Sequence, residues 1–113
     1  ALEDHTGSRA DALRGQAAAA RLHGYRAAWL LDQSRDASAA SSMAKLSIAQ
    51  LGRSVARAAV DLLGPLAVLE ADAELPLAGR ATALLRAGVG STIAGGSVEI
   101  QRTVIARREL AAR

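Results

Sequence analysis

The stretch that decides the fold is Thr92-Ile-Ala-Gly-Gly-Ser-Val-Glu-Ile-Gln-Arg-Thr-Val-Ile-Ala-Arg-Arg-Glu-Leu110, a glycine-rich turn followed by an amphipathic segment. Gly95 and Gly96 allow positive φ or a close backbone approach, and Ser97 offers a side-chain oxygen that caps a helix. Glu99 falls in the first turn of that helix, where a negative charge complements the helix dipole. We therefore predict a turn followed by a helix that begins at about Ser97.

The turn has two readings on its spacing alone. Free backbone N–H groups at a helix N-terminus behind glycines form an anion site, so the turn is a candidate for holding a phosphate or a carboxylate. A plain interhelical turn is the alternative, since glycine is common in such connections. No lysine follows the glycines, and Gly95-Gly96 does not fit the dinucleotide-binding pattern, so both common nucleotide loops are excluded.

Upstream, apolar residues at steps of three and four predict a first helix that begins near Arg9. An adjoining stripe of Leu22, Tyr25 and Trp29 predicts a second neighbour for this helix, with Trp29 as a core anchor. Gly24 lowers helix stability by about 1 kcal/mol relative to alanine, so we expect it to lie at a close helix crossing.

Two more helices are predicted before the glycine-rich turn. The second helix runs to about Leu63, where Gly64-Pro65 stops it. Its N-cap candidates are the serines at its start: Ser38, Ser41 and Ser42. A third, shorter helix is expected over residues 78–89, anchored by Leu84 and Leu85. No segment alternates as a strand does, so the chain is expected to be all-α.

Length and composition indicate one domain. The chain has 113 residues, is 50% hydrophobic and contains no Cys. We expect residues 1–8 to be a flexible N-terminal segment and residues 9–113 to be a helical domain. His5 and His23 have no partners at a ligand spacing, so no metal site is expected. No apolar run reaches the roughly 18 residues of a membrane span, which predicts a soluble protein without membrane contact. A cytoplasmic location is the default expectation.

The charge pattern argues against nucleic acid. The net charge is +3, with arginines scattered among acids and alanines, which is typical of solvated helix faces. A basic helical nucleic-acid binder is the weakest hypothesis, and a steep salt dependence of DNA binding would favour it. Lys45, the only lysine, has three possible roles: pairing with Asp32, pairing with Asp36, or facing a subunit interface.

The segment of residues 92–110 resembles the C-terminal signature of the acyl-CoA dehydrogenase family. Gly95-Gly96-Ser97-Val98-Glu99-Ile100-Gln101-Arg102 and Ile105-Ala106-Arg107-Arg108-Glu109-Leu110 match it nearly throughout. Three upstream stretches follow in the family's order: Ala27-Ala28-Trp29-Leu30, Ala40-Ser41-Ser42-Met43-Ala44-Lys45-Leu46 and Ala59-Val60-Asp61-Leu62-Leu63-Gly64-Pro65. The resemblance spans about residues 9 to 110.

The resemblance implies an up-and-down helical bundle, like the family's C-terminal domain but lacking the first bundle helix. It also implies a flavin-dependent reaction that removes two hydrogens from the α and β carbons of an acyl-CoA thioester. The glutamate that acts as base in many members falls on Gly95, so this turn supplies no catalytic residue. Most of the enzyme is expected to lie outside these residues, and we do not expect this chain to be active alone.

The cofactor residues implied by the resemblance fall in two segments. Ser97 retains the hydroxyl with which the family's threonine contacts FAD, and Gly96 and Glu99 match its neighbours. The family's Gln-x-x-Gly-Gly, which reaches the FAD of an adjacent subunit, is Asp61-Leu62-Leu63-Gly64-Pro65 here. Asp61 is expected to repel a diphosphate, by about 1 kcal/mol or more at short range. Pro65 lacks an N–H donor.

Two functions follow from the resemblance. In the first, the chain is the C-terminal domain of an acyl-CoA dehydrogenase and supplies FAD contacts and an interface for homo- or hetero-oligomers. In the second, it is a non-catalytic assembly subunit or module. The missing base resembles one subunit type of heteromeric members that act on steroid side-chain CoA thioesters in actinobacteria. An uncovered apolar groove predicts an oligomer.

Overall fold

The computed structural model describes residues 2–69, 74, 77, 80–91, 93–94 and 96–111, with side chains from Thr6 onward. It is all-helical over these residues, as expected. Four helices follow one another: α1 (Leu2–Asp32), α2 (Ser38–Leu63), α3 (Arg80–Gly90) and α4 (Val98–Ala111). A 3-10 turn, Gly64–Val68, follows α2 directly.

The long helix α2 is the centre of the fold, and each other helix packs along it. Helix α1 runs antiparallel to α2, since Arg9 near its start pairs with Asp61 near the end of α2. Helix α3 packs against the second half of α2 and α4 against its first half. Among the described residues, α1 makes no extensive contact with α3 or α4. The result is an open up-and-down arrangement with a groove beside α2.

The predicted end of α2 is confirmed, because it depends on residues next to it in the chain. Helix α2 ends at Leu63, and Gly64 follows with φ +54°, a conformation that favours glycine. Helix α3 begins at Arg80, and residues 78–79 of its predicted span lie outside the described residues. Helix α1 begins at Leu2 and not near Arg9. Whether residues 1–8 are flexible stays a prediction.

The expected serine cap of α2 is wrong. Asp36 fills this role, because its carboxylate accepts hydrogen bonds from the Ser38 N–H at 2.9 Å and from the Ser38 hydroxyl. The hydrogen bonds from Ser38 are the main reason that the pKa of Asp36 lies below its usual value. Asp36 also pairs with Arg108 at 3.3 Å, which ties the end of α4 to the start of α2.

Alanine forms the core, and the large side chains lie at its edge. Buried alanines include Ala20 and Ala27 on α1 and Ala49, Ala56 and Ala58 on α2. Such small side chains allow close helix packing but bury little apolar area each. No large side chain among the described residues is fully buried.

The second stripe of α1 is not covered by another helix of the described residues. Trp29 is 54% exposed and lies 5.6 Å from the Arg35 guanidinium, while Leu22 and Tyr25 are more exposed still. Trp29 as a core anchor is therefore wrong for this chain. Leu84, expected to anchor α3, is 40% exposed.

The close helix crossing is at Gly88 and not at Gly24. A Cβ placed on Gly24 would meet nothing within 4 Å, whereas one on Gly88 would lie 3.5 Å from the Gly52 oxygen and 3.6 Å from the Ala56 Cβ. Gly88 is also buried, as is Ala81 two turns earlier on the same helix. Small residues thus bring α3 onto α2.

Candidate functional site: the turn before α4 and the end of α2

The turn before α4, which we call the α4 turn and define by Ala94, Gly96 and Ser97, is held by local bonds. Ser97 caps the helix as predicted: the Ile100 N–H donates to its hydroxyl oxygen at 3.3 Å. Gly96 has φ +107°, and a Cβ there would lie 2.8 Å from Gln101 Nε2. The positive φ therefore favours glycine at this position, whereas the flexible end of the Gln101 side chain could move aside for a Cβ. Gly95 and Thr92 lie outside the described residues.

Lys45 fixes the α4 turn to α2. Its ammonium donates to the Gly96 carbonyl oxygen at 2.7 Å, in a partly buried position, and also to the Ala94 carbonyl oxygen. The expected partners Asp32 and Asp36 are not the ones found. A charged donor shared by two carbonyl oxygens is a strong link, because hydrogen bonds to charged groups are about twice as strong as neutral ones.

Glu99 occupies the N-terminal end of α4. The pKa of its carboxyl group is lowered, first by a hydrogen bond from its own backbone N–H and then by one from the Ser97 side chain. The side chain is exposed. The carboxylate thus takes a backbone donor that the anion-site interpretation needs, and its charge repels a second anion. The α4 turn therefore suits a neutral polar group better than a phosphate.

The segment at the end of α2 has few free backbone donors. The Gly64 N–H already donates to the Val60 oxygen, and Pro65 has no N–H. Gly64 needs its glycine, because φ is +54°. This corner can approach a ligand closely, but side chains must supply its polar contacts.

Asp61 forms ion pairs with two arginines, so the local charge at the end of α2 is not the negative charge expected from the sequence. Its carboxylate pairs with Arg9 at 2.8 Å and with Arg57 at 3.4 Å. Its pKa is lowered, and the hydrogen bond from Arg9 is the largest cause. With two guanidinium groups around one carboxylate, the cluster has a net positive charge. The expected repulsion of a diphosphate by Asp61 is therefore offset locally.

The five cofactor residues implied by the resemblance form two groups and not one. Gly96, Ser97 and Glu99 lie together at the start of α4, near Lys45. Asp61 and Gly64 lie at the end of α2. The sixteen residues from Lys45 to Asp61 correspond to about 24 Å along a helix. One chain therefore presents the two groups at separate places.

Three of the contacts in these groups were missed from the sequence: those of Lys45, Arg9 and Arg57. The signal for Lys45 was its being the only lysine, within a stretch of small and apolar residues. Arg9 and Arg57 resembled other surface arginines. Among the described residues there is no cluster of three metal-binding side chains, and no described helix is long and apolar enough to cross a membrane.

Comparison with known proteins agrees with this helical geometry. The family model described as acyl-CoA dehydrogenase, C-terminal domain, matches residues 7–110. No curated protein and no solved structure matches the chain significantly. The matched segment covers most of the chain, from α1 to the end of the signature in α4. The chain therefore belongs to the acyl-CoA dehydrogenase C-terminal domain family.

Proposed function

We propose that this chain is the C-terminal domain of a flavin-dependent acyl-CoA dehydrogenase, where it supplies FAD contacts and an oligomer interface. The observation that carries the proposal is the separation of the two flavin-contact groups along α2. The two groups lie about 24 Å apart along α2, and in the family the segment at the α2 end reaches the FAD of an adjacent subunit. We therefore infer that the α4 turn of one chain and the α2 end of another serve the same flavin. When bound, FAD supplies the hydride acceptor. Glycine at position 95 has no proton acceptor, so the base comes from another part of the assembly.

The described residues support FAD contacts of two kinds. At the α4 turn, the Ser97 hydroxyl and the Glu99 carboxylate are suited to hydroxyl or N–H groups of the cofactor. At the α2 end, Arg9 and Arg57 retain a net positive charge beside Asp61, which is suited to a diphosphate. Gly64 adds close backbone approach there. Each group thus matches a different chemical part of one cofactor.

Exposed apolar side chains support an oligomer interface. Leu22, Tyr25 and Trp29 form a stripe on α1, and Ile48 on α2 is 58% exposed. Large contiguous apolar patches on a protein surface mark interaction sites. We infer that this stripe packs against a partner subunit.

Flavin occupancy tests the α4 turn. The complete gene product is purified, and its bound flavin is measured by visible absorbance per protein chain. Ser97→Ala should lower the occupancy, and Ser97→Thr should retain it, because threonine keeps the hydroxyl. Ser41→Ala is the matched control, since Ser41 is an exposed serine on α2. Equal occupancy in Ser97→Ala and Ser41→Ala would exclude Ser97 as a flavin contact.

A mixing experiment tests the sharing between subunits. Ser97→Ala impairs the α4 turn, and Arg57→Glu impairs the α2 end, because it reverses one of the two positive charges beside Asp61. If two chains share each flavin, then co-expressing these variants creates some sites in which both contributing segments are wild type. Flavin occupancy in the mixture should exceed that of either variant alone. No gain in the mixture means that both groups belong to one site or to none.

A non-catalytic subunit of a heteromeric dehydrogenase is the second candidate. The shortage of backbone donors at Gly64 and Pro65, together with glycine at position 95, favours it. In this version a neighbouring subunit supplies the base and completes the flavin site, and the substrate is an acyl-CoA thioester such as one with a steroid side chain. Co-expression with a neighbouring dehydrogenase subunit should then yield flavin. A yellow homo-oligomer from the complete gene product alone would exclude this version.

A further inference from the structure

The peptide group between Gly96 and Ser97 lies between two anchors, and its orientation follows from them. On one side, the Lys45 ammonium donates to the Gly96 carbonyl oxygen at 2.7 Å. On the other side, the Ser97 hydroxyl oxygen accepts from the Ile100 N–H at 3.3 Å. The carbonyl and the N–H of a trans peptide point in opposite directions. The Ser97 N–H therefore points away from Lys45 and from the part of α2 that carries it.

Ser97 keeps hydrogen-bonding capacity that the described residues leave unused. No acceptor for its backbone N–H lies among them. Its hydroxyl accepts from Ile100 and donates to the Glu99 carboxylate, which leaves the second lone pair of the oxygen without a donor. The residue is half-buried. Ser97 thus offers a donor beside an acceptor to a bound molecule.

The charge on Lys45 strengthens this donor. Lys45 makes no ion pair within the described part of the chain, so its charge acts on the carbonyl oxygens of Ala94 and Gly96. A charged donor at a carbonyl oxygen polarises the peptide group, and hydrogen bonds linked through one peptide strengthen one another. The Ser97 N–H belongs to the same peptide as the Gly96 carbonyl, and it therefore becomes a better donor.

A direct contact between Lys45 and a cofactor phosphate is the alternative. The ammonium has three N–H groups, and two of them already donate to carbonyl oxygens of the α4 turn. The Glu99 carboxylate at the start of α4 repels a phosphate at this end of the helix. Action of Lys45 through the turn therefore agrees better with the charges around it.

We propose that Lys45 is a positioning residue for flavin binding, because it holds and polarises the peptide between Gly96 and Ser97 so that Ser97 presents its N–H and its hydroxyl to FAD together. This inference rests on the proposed function, in which Ser97 contacts the flavin. It adds a residue that acts on the cofactor only through Ser97. Without the ammonium, the peptide is free to turn, and both contacts of Ser97 are lost together.

The test is a double-mutant cycle on the complete gene product, in the oligomer that binds flavin. Bound FAD is removed, and the dissociation constant for FAD is measured by titration. Ser97→Ala should raise this constant about tenfold, and Lys45→Met should raise it about tenfold or more, because it affects both contacts of Ser97. Adding Ser97→Ala to Lys45→Met should change the constant less than about twofold, since the displaced hydroxyl no longer contributes.

Thr82→Val is the matched control for lost stability. The Thr82 hydroxyl donates to the Ala67 carbonyl oxygen at 2.7 Å, so this variant also removes a side-chain link to a backbone carbonyl, but away from the α4 turn. Its dissociation constant for FAD should stay within about twofold of wild type.

Three results would overturn the inference and leave the proposed function intact. The first is an equal rise of the dissociation constant in Thr82→Val, which would make the Lys45 effect one of general stability. The second is a set of effects of Lys45→Met and Ser97→Ala that multiply, which would indicate a direct contact of Lys45 with FAD. The third is an unchanged constant in Lys45→Met beside a raised one in Ser97→Ala. Wild-type protein that binds no flavin in any oligomer would overturn the proposed function as well.

Discussion

At the first half of α2, the Lys45 ammonium donates to backbone carbonyl oxygens of the α4 turn, whereas at its end the Asp61 carboxylate accepts from two guanidinium groups. Lys45 joins α2 to the α4 turn and Arg9 joins it to α1, whereas the pair between Arg57 and Asp61 lies within α2. The hydrogen bond from Lys45 to Gly96 is partly buried and the one to Ala94 is exposed, whereas the side chains of the Asp61 cluster are at least 40% exposed. Water and salt screen exposed pairs strongly.

This difference in exposure indicates that the Lys45 contact determines the position of the α4 turn, whereas the Asp61 cluster mainly determines the charge at the end of α2. Lys45 determines where the α4 turn lies, because it joins two carbonyl oxygens in one place. At Asp61, either arginine can remain paired with the carboxylate if the other is lost, so the cluster keeps an ion pair. Three predictions test this contrast, from the largest expected effect to the smallest.

Lys45→Met should cause the largest loss of stability. It removes the charged donor while the Ala94 and Gly96 carbonyl oxygens stay where they are, which should lower the free energy of unfolding by about 2 to 3 kcal/mol. Urea unfolding followed by circular dichroism measures this. Arg53→Met is the matched control on the same helix, with an expected change below about 0.5 kcal/mol. Similar losses in the two variants would mean that the Lys45 hydrogen bonds contribute no more to the free energy of unfolding than an exposed arginine does.

Gly96→Ala should have the next largest effect. Alanine is strained at φ +107°, so we expect a loss of about 1 to 3 kcal/mol. Gly24→Ala is the matched control within α1, where a Cβ meets nothing within 4 Å. There the better helix propensity of alanine should raise stability by about 0.5 to 1 kcal/mol. Thermal unfolding should therefore shift in opposite directions, and shifts of the same sign would contradict the assigned backbone of the turn.

These glycines show how far the sequence predicts the fold. The stop at Gly64-Pro65 and the cap at Ser97 were predicted correctly, because each depends on residues next to it in the chain. Gly24 was assigned to a helix crossing that Gly88 makes instead. Which glycine meets a neighbouring helix depends on tertiary packing, and spacing along one helix does not contain that information.

The same limit applies to the candidate site. The resemblance identified Ser97 and Asp61 as positions of interest, but not the partners that surround them. Lys45 contacts residues about fifty positions away, and Arg9 meets Asp61 only because α1 folds back along α2. Trp29 followed a core-like pattern, yet it is exposed because no helix of the described chain covers that side of α1. Ion pairs between helices and the burial of individual side chains thus could not be predicted from the sequence and became known only from the structure.

The pH dependence of the Asp61 cluster should be the smallest effect. Hydrogen bonding from Arg9 lowers the pKa of Asp61 in the folded state, so the folded protein binds this proton less readily than the unfolded chain. The stabilisation is then fully present above the unfolded pKa of about 4, and it is lost as pH falls through the lower folded pKa. The difference in unfolding free energy between wild type and Asp61→Asn should therefore shrink below about pH 4.

Arg9→Gln separates this contribution from general acid unfolding. Arg9 is the largest cause of the lowered Asp61 pKa, so in the Arg9→Gln background Asp61→Asn should change the pH profile less. Urea unfolding at several pH values measures all four proteins, and added salt should reduce the difference because the pair is exposed. If the difference in unfolding free energy between wild type and Asp61→Asn stays constant as pH falls, then the charge of Asp61 does not contribute to stability. The packing of Arg9 and Arg57 would then hold the cluster together. Among the described residues, the Lys45 contacts and the Asp36–Arg108 pair would remain as electrostatic links between α2 and its neighbours.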